Sequence, residues 1–169
     1  MKAVFFEKHG GPEVLKYGTF QDPALGFNDV LVGIKACALN HLDIWVREGL
    51  PGVSIPMPHI PGSDAAGVVL DFGKGVRRFK KGDRVVISPG QIPPGAPEAF
   101  ESRDSYSPDF RIVGLQTQGG YAERIAVDER QVIPVSDKYS FEEWASVPLA
   151  SLTAYHMLVT RARLRPGPG

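Results

Sequence analysis

The sequence has 169 residues, which suits one domain with an ordinary hydrophobic core better than a multidomain assembly. Its 19 Lys and Arg residues balance 19 Asp and Glu residues, so the net charge is zero. The protein therefore has no overall electrostatic attraction for nucleic acid or for an anionic membrane. The 19 glycines and 15 prolines favour a turn-rich β fold over a helical bundle. We therefore expect no nucleic-acid partner and no membrane partner.

The cysteine content limits the covalent and metal chemistry. Cys37 is the single cysteine, so an internal disulfide and a CxxC zinc site are both excluded. The apolar stretch near the N-terminus is too short for a signal peptide, and no later run approaches the roughly 18 apolar residues of a membrane span. These features predict a soluble cytoplasmic protein.

Seven short segments rich in β-branched and aromatic residues alternate with glycine and proline, which is typical of strands. Few helical patterns separate them, so we predict a mainly β fold, a mixed or antiparallel barrel, and not a doubly wound parallel sheet. The predicted strands cover residues 3–6, 14–17, 30–36, 66–72, 84–88, 121–127 and 131–135.

Two regions have helical patterns. Residues 40–48 place Leu42, Trp45 and Val46 on one side and stop at Gly49, which predicts a short helix with a C-terminal glycine. Residues 140–164 begin with a capping box and contain Pro148, which suits the first turn of a second helix. We predict two consecutive helices there, and a long excursion without periodicity over residues 89–110.

Three separated segments carry a family resemblance. They are residues 34–43 (IKACALNHLD), residues 60–69 (IPGSDAAGVV) with the turn at 75–85, and residues 119–123 (GGYAE) continued by 148–155 (PLASLTAY). Together they resemble the amino-terminal, GroES-like domain of the medium-chain dehydrogenase/reductase superfamily, which includes alcohol dehydrogenases and quinone oxidoreductases.

The resemblance implies a partly open β-barrel that forms one wall of a cleft. The other wall is a Rossmann domain that binds NAD(H) or NADP(H), and its glycine-rich phosphate turn has no counterpart in this sequence. We expect residues 1–138 to form the GroES-like domain and residues 139–169 to form interdomain helices that lead to the cofactor domain. The chain alone is then expected to be inactive.

The residues at the zinc-ligand positions of this superfamily predict a zinc-free site. Zinc-dependent relatives have a cysteine where this sequence has Asn40, and a histidine within Gly-His-Glu where it has Ser63. Zinc favours thiolate sulfur and imidazole nitrogen over amides and hydroxyls. Cys37 precedes the ligand position by three residues and is interpreted as a small buried apolar residue.

The candidate catalytic residues are Asn40, Asp43 and Trp45. Asn40 is expected to donate amide hydrogens to a substrate carbonyl or to the nicotinamide carboxamide, or to cap the helix, and the two roles are compatible. Asp43 is interpreted mainly as a hydrogen-bonding anchor, with direct proton transfer as the alternative. Trp45 either faces the substrate or belongs to the core.

The resemblance assigns two cofactor contacts within this chain. His41 occupies a position from which relatives reach the cofactor phosphates, the alternative being an exposed imidazole without a ligand. Thr153 matches a position that contacts the nicotinamide, the alternative being helix packing. Asp64, in the turn before a strand, is interpreted as a structural hydrogen-bonding residue.

We therefore predict the substrate-side domain of a zinc-independent, NAD(P)(H)-dependent oxidoreductase that transfers hydride to a quinone, an enone or a related carbonyl compound. One alternative is a zinc-type alcohol dehydrogenase, and another is a GroES-like binding module without catalysis. The expected partner is a small molecule, and an apolar face on the C-terminal helices leaves a homodimer open.

Overall fold

The computed structural model describes residues 1–92, 107–165 and 167. The first half contains β1 (Lys2–Phe5), β2 (Lys16–Thr19), β3 (Asp29–Ala38), α1 (His41–Glu48), β4 (Asp64–Phe72) and β5 (Arg84–Ile87). The second half contains β6 (Gly90–Gln91), β7 (Arg111–Ile112), β8 (Arg124–Asp128), β9 (Val132–Pro134), α2 (Phe141–Ala145) and α3 (Pro148–Tyr155), followed by a π-helical turn at His156–Arg161. Among the described residues no helix has the length and apolarity that a membrane span requires.

A curled antiparallel sheet organises the fold, with strand order β8-β3-β4-β5-β9. The long strand β3 pairs with both β4 and β8, and two register shifts in the β3–β4 ladder bend the sheet. The hairpin of β1 and β2 joins it through a bridge between Ala3 and Ala122. The mainly β, partly open barrel expected from the sequence is confirmed.

The main core lies inside the curl of the sheet. Alternate side chains of β3, β4, β5 and β8 meet there, as the period of two along a strand requires. Val30, Val32, Val85 and Ile87 have no exposed surface. This rigid core fixes the ends of β3 and β4, from which the candidate site is built.

All seven predicted strands have a counterpart, with errors at several of their ends. Val14 was expected in a strand but ends a 3-10 turn, because Pro12 starts the turn and accepts a hydrogen bond from the backbone N–H of Leu15. Tyr121 precedes β8, since its carbonyl accepts from Val4 of the β1 hairpin instead. Gln131 lies in a 3-10 turn before β9.

A short strand pair that the sequence did not predict lies at the two ends of the expected excursion at 89–110. Strands β6 and β7 pair through Gly90 with Ile112 and Gln91 with Arg111. Phe110 packs close to Gly90, where a Cβ would lie 2.8 Å from its ring. Residues 93–106 of the excursion, including Phe100 and Tyr106, lie outside the described residues.

The predicted helices α1, α2 and α3 are confirmed. Helix α1 ends at Glu48, and Gly49 at its C-cap has a φ of 98°, which favours glycine. Ser140 and Glu143 form the capping box of α2, and Pro148 opens α3. Helix α2 packs on the sheet through the buried Ala145.

Candidate active site

The candidate site lies where β3 ends and β4 begins. Because these strands are antiparallel, Ala38 near the end of β3 pairs with Asp64 at the start of β4. Two residues beyond Ala38, Asn40 becomes the N-cap of α1. The sheet register therefore places the Asn40 side chain beside Asp64, although the two residues are 24 positions apart in sequence.

Asp43 joins three parts of the site by accepting three hydrogen bonds. Its carboxylate accepts from the backbone N–H of Asn40 at 2.8 Å, from the backbone N–H of Gly62 at 3.1 Å and from the hydroxyl of Tyr121 at 2.7 Å. The first contact is half of a capping box that Asn40 and Asp43 share. Since the carboxylate is buried and serves three donors, the geometry favours the anchoring role for Asp43.

The backbone at Gly62 requires glycine. Its φ is 98°, a region that residues with a Cβ rarely adopt. A Cβ would also lie 2.5 Å from the ring of Tyr121 and 3.0 Å from the sulfur of Cys37. This close approach lets the Gly62 N–H reach Asp43.

Asp64 holds the amide of Asn40. Nδ2 of Asn40 donates to Oδ2 of Asp64 at 2.9 Å, and the backbone N–H of Leu149 donates to Oδ1 at 2.8 Å. Asp64 is only 1% exposed, so both contacts are shielded from water. One Nδ2 hydrogen of the half-buried Asn40 then remains for a ligand, because the amide nitrogen carries two.

Burial changes the protonation equilibria of this region. Burial raises the pKa of Asp64, although the hydrogen bonds from Asn40 and Leu149 oppose the shift. Burial raises the pKa of Tyr121, helped by its hydrogen bond to Asp43, so the phenol remains a donor at neutral pH. Burial also raises the pKa of Cys37, which keeps the sulfur as a neutral thiol.

The donors present do not fit a zinc ion. Asn40 offers a neutral amide and Ser63 a neutral hydroxyl, and neither matches the thiolate sulfur or imidazole nitrogen that zinc prefers. Within the described ranges, no three His, Cys, Asp or Glu residues are grouped as a metal site. The Ser63 hydroxyl is buried and has no hydrogen-bond partner in the described part of the chain.

Trp45 and His41 line the solvent-facing side of α1. Their rings meet edge to face with centroids 4.7 Å apart, and Trp45 is 49% exposed. Trp45 is therefore placed where a ligand can reach it, not in the core. Leu39, 84% exposed, precedes Asn40 and adds apolar surface.

Thr153 is not brought together with the other candidates. It is exposed on α3, about one turn beyond Leu149. No described hydrogen bond joins it to Asn40 or His41. Its proposed contact with a cofactor therefore depends on its position along α3 alone.

Two contributors to the site were not assigned from the sequence. Tyr121 was noted within the GGYAE segment, but its bond to Asp43 spans 78 positions and has no local signal. The contribution of Leu149 is a backbone N–H, which no side-chain motif reveals. The glycines at 119 and 120 were the available clue, because close backbone approach there brings Tyr121 to Gly62.

Comparison with known proteins agrees with this architecture. Residues 26–137 match the alcohol dehydrogenase GroES-like domain family. The chain belongs to this family, within the medium-chain dehydrogenase/reductase superfamily.

Relatives of this GroES-like domain include enzymes of two kinds. A quinone oxidoreductase from Rattus norvegicus is 31% identical, over 99% of this chain and 43% of its own length. A crystal structure of an NAD-dependent alcohol dehydrogenase is 41% identical with a TM-score of 0.93, over 99% of this chain and 49% of that one. A cobalt- and zinc-bound thermostable alcohol dehydrogenase from Pyrobaculum aerophilum is 34% identical with a TM-score of 0.87, over 99% of this chain and 50% of its own.

The chain therefore spans about half the length, or less, of these relatives. The activity of the whole protein is consequently a matter for proposal.

Proposed function

We propose that this chain is the substrate-side domain of a zinc-independent, NAD(P)(H)-dependent oxidoreductase that reduces a quinone, an enone or a related carbonyl compound. The observation that carries the proposal is the hydrogen bond between Asn40 and Asp64. At the place where zinc-dependent relatives hold a metal, this chain has an amide held by a buried carboxylate. The remaining amide hydrogen is available for an oxygen acceptor.

Asn40 polarises the substrate carbonyl in this proposal. A fixed N–H near the carbonyl oxygen stabilises the negative charge that develops there during reduction, at no reorganisation cost. Asp43 and Asp64 keep the amide in place through the capping box and the Nδ2 hydrogen bond. Trp45 and Leu39 offer apolar surface that excludes water from a flat, conjugated substrate.

The nicotinamide cofactor supplies the hydride when it is bound. This chain offers exposed side chains at its edge, His41 beside α1 and Thr153 on α3. Neither replaces the glycine-rich turn that holds a pyrophosphate in a Rossmann domain. We therefore propose that residues 1–138 form the substrate side, that residues 139–169 lead to a cofactor domain, and that the chain alone shows no turnover with NADPH.

The proposed partners are small molecules, with no nucleic acid and no membrane, and the proposed location is the cytoplasm. The zero net charge supports the absence of a polyanionic partner such as nucleic acid or an anionic membrane. Leu152, Tyr155 and Leu158 are all more than half exposed on the C-terminal helical segment. This apolar surface supports a homodimer or contact with the rest of the protein.

The test combines metal analysis with a substrate panel. The complete protein is purified without chelator, its zinc content is measured, and reduction of benzoquinones and enones by NADH and NADPH is compared with oxidation of primary alcohols. The proposal expects reductase activity at far less than one zinc per chain. One tightly bound zinc per chain, with activity confined to alcohols, would contradict it.

Alcohol oxidation by a metal-dependent enzyme is the second candidate. Alcohol oxidation is supported by the 41% identity to an NAD-dependent alcohol dehydrogenase, and metal dependence by the 34% identity to the cobalt- and zinc-bound alcohol dehydrogenase. The amide at residue 40 and the hydroxyl at residue 63 oppose it, because neither is a good zinc ligand. The same measurement separates the two candidates.

A further inference from the structure

We propose that Asp64 is a positioning residue that sets the direction of the Asn40 amide and links it to the start of α3. The inference rests on the proposed function, in which Asn40 contacts the substrate carbonyl. In this role, the Asp64 carboxylate connects the substrate-facing amide of Asn40 to helix α3.

The two oxygens of Asp64 serve two different elements. Oδ2 accepts from Nδ2 of Asn40 at 2.9 Å, and Oδ1 accepts from the backbone N–H of Leu149 at 2.8 Å. A carboxylate has no hydrogen to donate, so it dictates that the nitrogen of the Asn40 amide, and not its oxygen, faces it. The orientation of Asn40 is therefore determined by Asp64.

Asp64 also supplies what α3 lacks. The first backbone N–H groups of a helix have no partner within the helix, and Val147 at the N-cap of α3 provides no side-chain hydrogen bond. Asp64, on β4, provides the missing hydrogen-bond acceptor, because its carboxylate accepts from the backbone N–H of Leu149 at the second position of α3. A negative charge at a helix N-terminus is favourable, so the carboxylate and α3 stabilise one another.

The local charges leave Asp64 dependent on these two donors. No ion pair within the described residues involves Asp64, and Asp43 is a nearby carboxylate that disfavours a second negative charge. Asn40 lies between the two acids, with its backbone N–H on Asp43 and its Nδ2 on Asp64. A shift of α3 that breaks the Leu149 hydrogen bond therefore leaves the Asp64 carboxylate with one donor fewer, and this changes the strength of its hydrogen bond to the Asn40 amide.

An Asp64→Asn variant separates these contacts. The new amide has one oxygen and one nitrogen in place of two oxygens, so it accepts from only one of its two donors and faces the other with hydrogens. Either Asn40 turns or the Leu149 contact is lost. Asp71→Asn is the matched control, because Asp71 lies on the same strand and its side chain is half exposed, with Lys81 as its partner.

The kinetic test is a double-mutant cycle in the complete protein, with NADPH and a benzoquinone. We expect Asp64→Asn and Asn40→Ala each to lower kcat by about tenfold, while KM for the quinone changes by less than about threefold. The double variant is expected to be no slower than the slower single variant, because both changes remove the same oriented N–H. Asp71→Asn is expected to keep the wild-type kcat.

A spectroscopic readout tests the arrangement without activity. In the wild-type protein, the two side-chain amide protons of Asn40 are expected to have well-separated NMR shifts, since one is bonded to a carboxylate. Asp64→Asn is expected to move these resonances, and Asp71→Asn to leave them in place.

The outcomes distinguish the two proposals. Unchanged Asn40 resonances in Asp64→Asn, or losses of kcat that multiply in the double variant, would overturn the role of Asp64. An inactive wild-type protein would contradict the proposed function, while the resonances would still decide whether Asp64 orients Asn40.

Discussion

The hydroxyl of Tyr121 donates to Oδ2 of Asp43 at 2.7 Å, joining residues 78 positions apart. The same carboxylate receives the backbone N–H of Gly62, so the bond connects α1, the turn before β4 and the segment before β8. The N-cap of α1 is thereby fixed to the barrel. Asn40, at that N-cap, takes its position from this contact.

Tyr121→Phe removes the hydroxyl donor and leaves a buried acceptor with fewer partners. We expect the free energy of unfolding to fall by about 1.5–3 kcal/mol, because a hydrogen bond to a carboxylate is lost. Urea denaturation of both proteins measures the change. Tyr17→Phe, at a ring that is 76% exposed, is the control and should change stability little. Equal losses in the two variants would contradict the role of Tyr121.

Gly62→Ala tests the close packing at the turn. The added Cβ meets the Tyr121 ring at 2.5 Å and also requires a backbone φ of 98°. Gly52→Ala is the matched control, because its φ is 76° and nothing lies within 4 Å of the added atom. We expect about 1–2 kcal/mol of destabilisation in Gly52→Ala from the backbone conformation alone. Gly62→Ala should lose clearly more, and equal denaturation midpoints would show that Tyr121 does not confine the turn.

The pKa values of Asp64 and Asp71 are expected to shift in opposite directions, although both residues lie on β4. Burial raises the pKa of Asp64, whereas the hydrogen bond from Lys81 lowers the pKa of Asp71. Carboxyl ¹³C shifts followed against pH should therefore show a higher midpoint for Asp64. The reverse order would contradict the buried environment of Asp64.

The raised pKa of Asp64 has a defined consequence for stability. The folded state binds this proton more tightly than the unfolded state, so unfolding releases it in the pH range between the two pKa values. The contribution of Asp64 to stability consequently falls as the pH rises from the ordinary carboxyl range through its folded pKa. Asp71 has the opposite sign, and its contribution is lost as the pH falls through its lowered folded pKa.

Asn40→Asp places a carboxylate where the amide nitrogen now meets Asp64. Two acids then face one another with Asp43 nearby, so we expect a loss of about 3 kcal/mol at pH 8 and partial recovery near pH 5, where a shared proton restores a hydrogen bond. Thermal unfolding across this pH range measures the effect. Asn28→Asp, at an exposed position, is the control. A loss that does not depend on pH would contradict the proximity of Asn40 and Asp64.

Local signals predicted much of this fold. The α1 pattern with its glycine stop, the Ser140 capping box and the opening of α3 at Pro148 depend on residues within one or two helical turns, and all are found. The strand centres were predicted by β-branched residues. The errors fell at strand ends such as Val14, where a proline two positions earlier starts a 3-10 turn instead.

The hydrogen bonds within the site could not be predicted from local sequence patterns. Asn40 and Asp43 were selected from their segment, but the partners Asp64, Tyr121 and Leu149 come from distant positions that the sheet register brings together. The pair of β6 and β7 has two residues in each strand, which is too short for any periodicity. Sequence patterns predicted the candidate residues, and the tertiary fold determines what they contact.

The most direct test of the account measures kcat in metal-stripped protein. The complete protein is dialysed against a strong chelator, its zinc content is determined, and quinone reduction is compared between wild type and Asn40→Ala. We predict that the stripped wild type retains its kcat and that Asn40→Ala loses about tenfold in both treated and untreated samples. Loss of wild-type activity on stripping, with recovery on adding one equivalent of zinc per chain, would contradict the account.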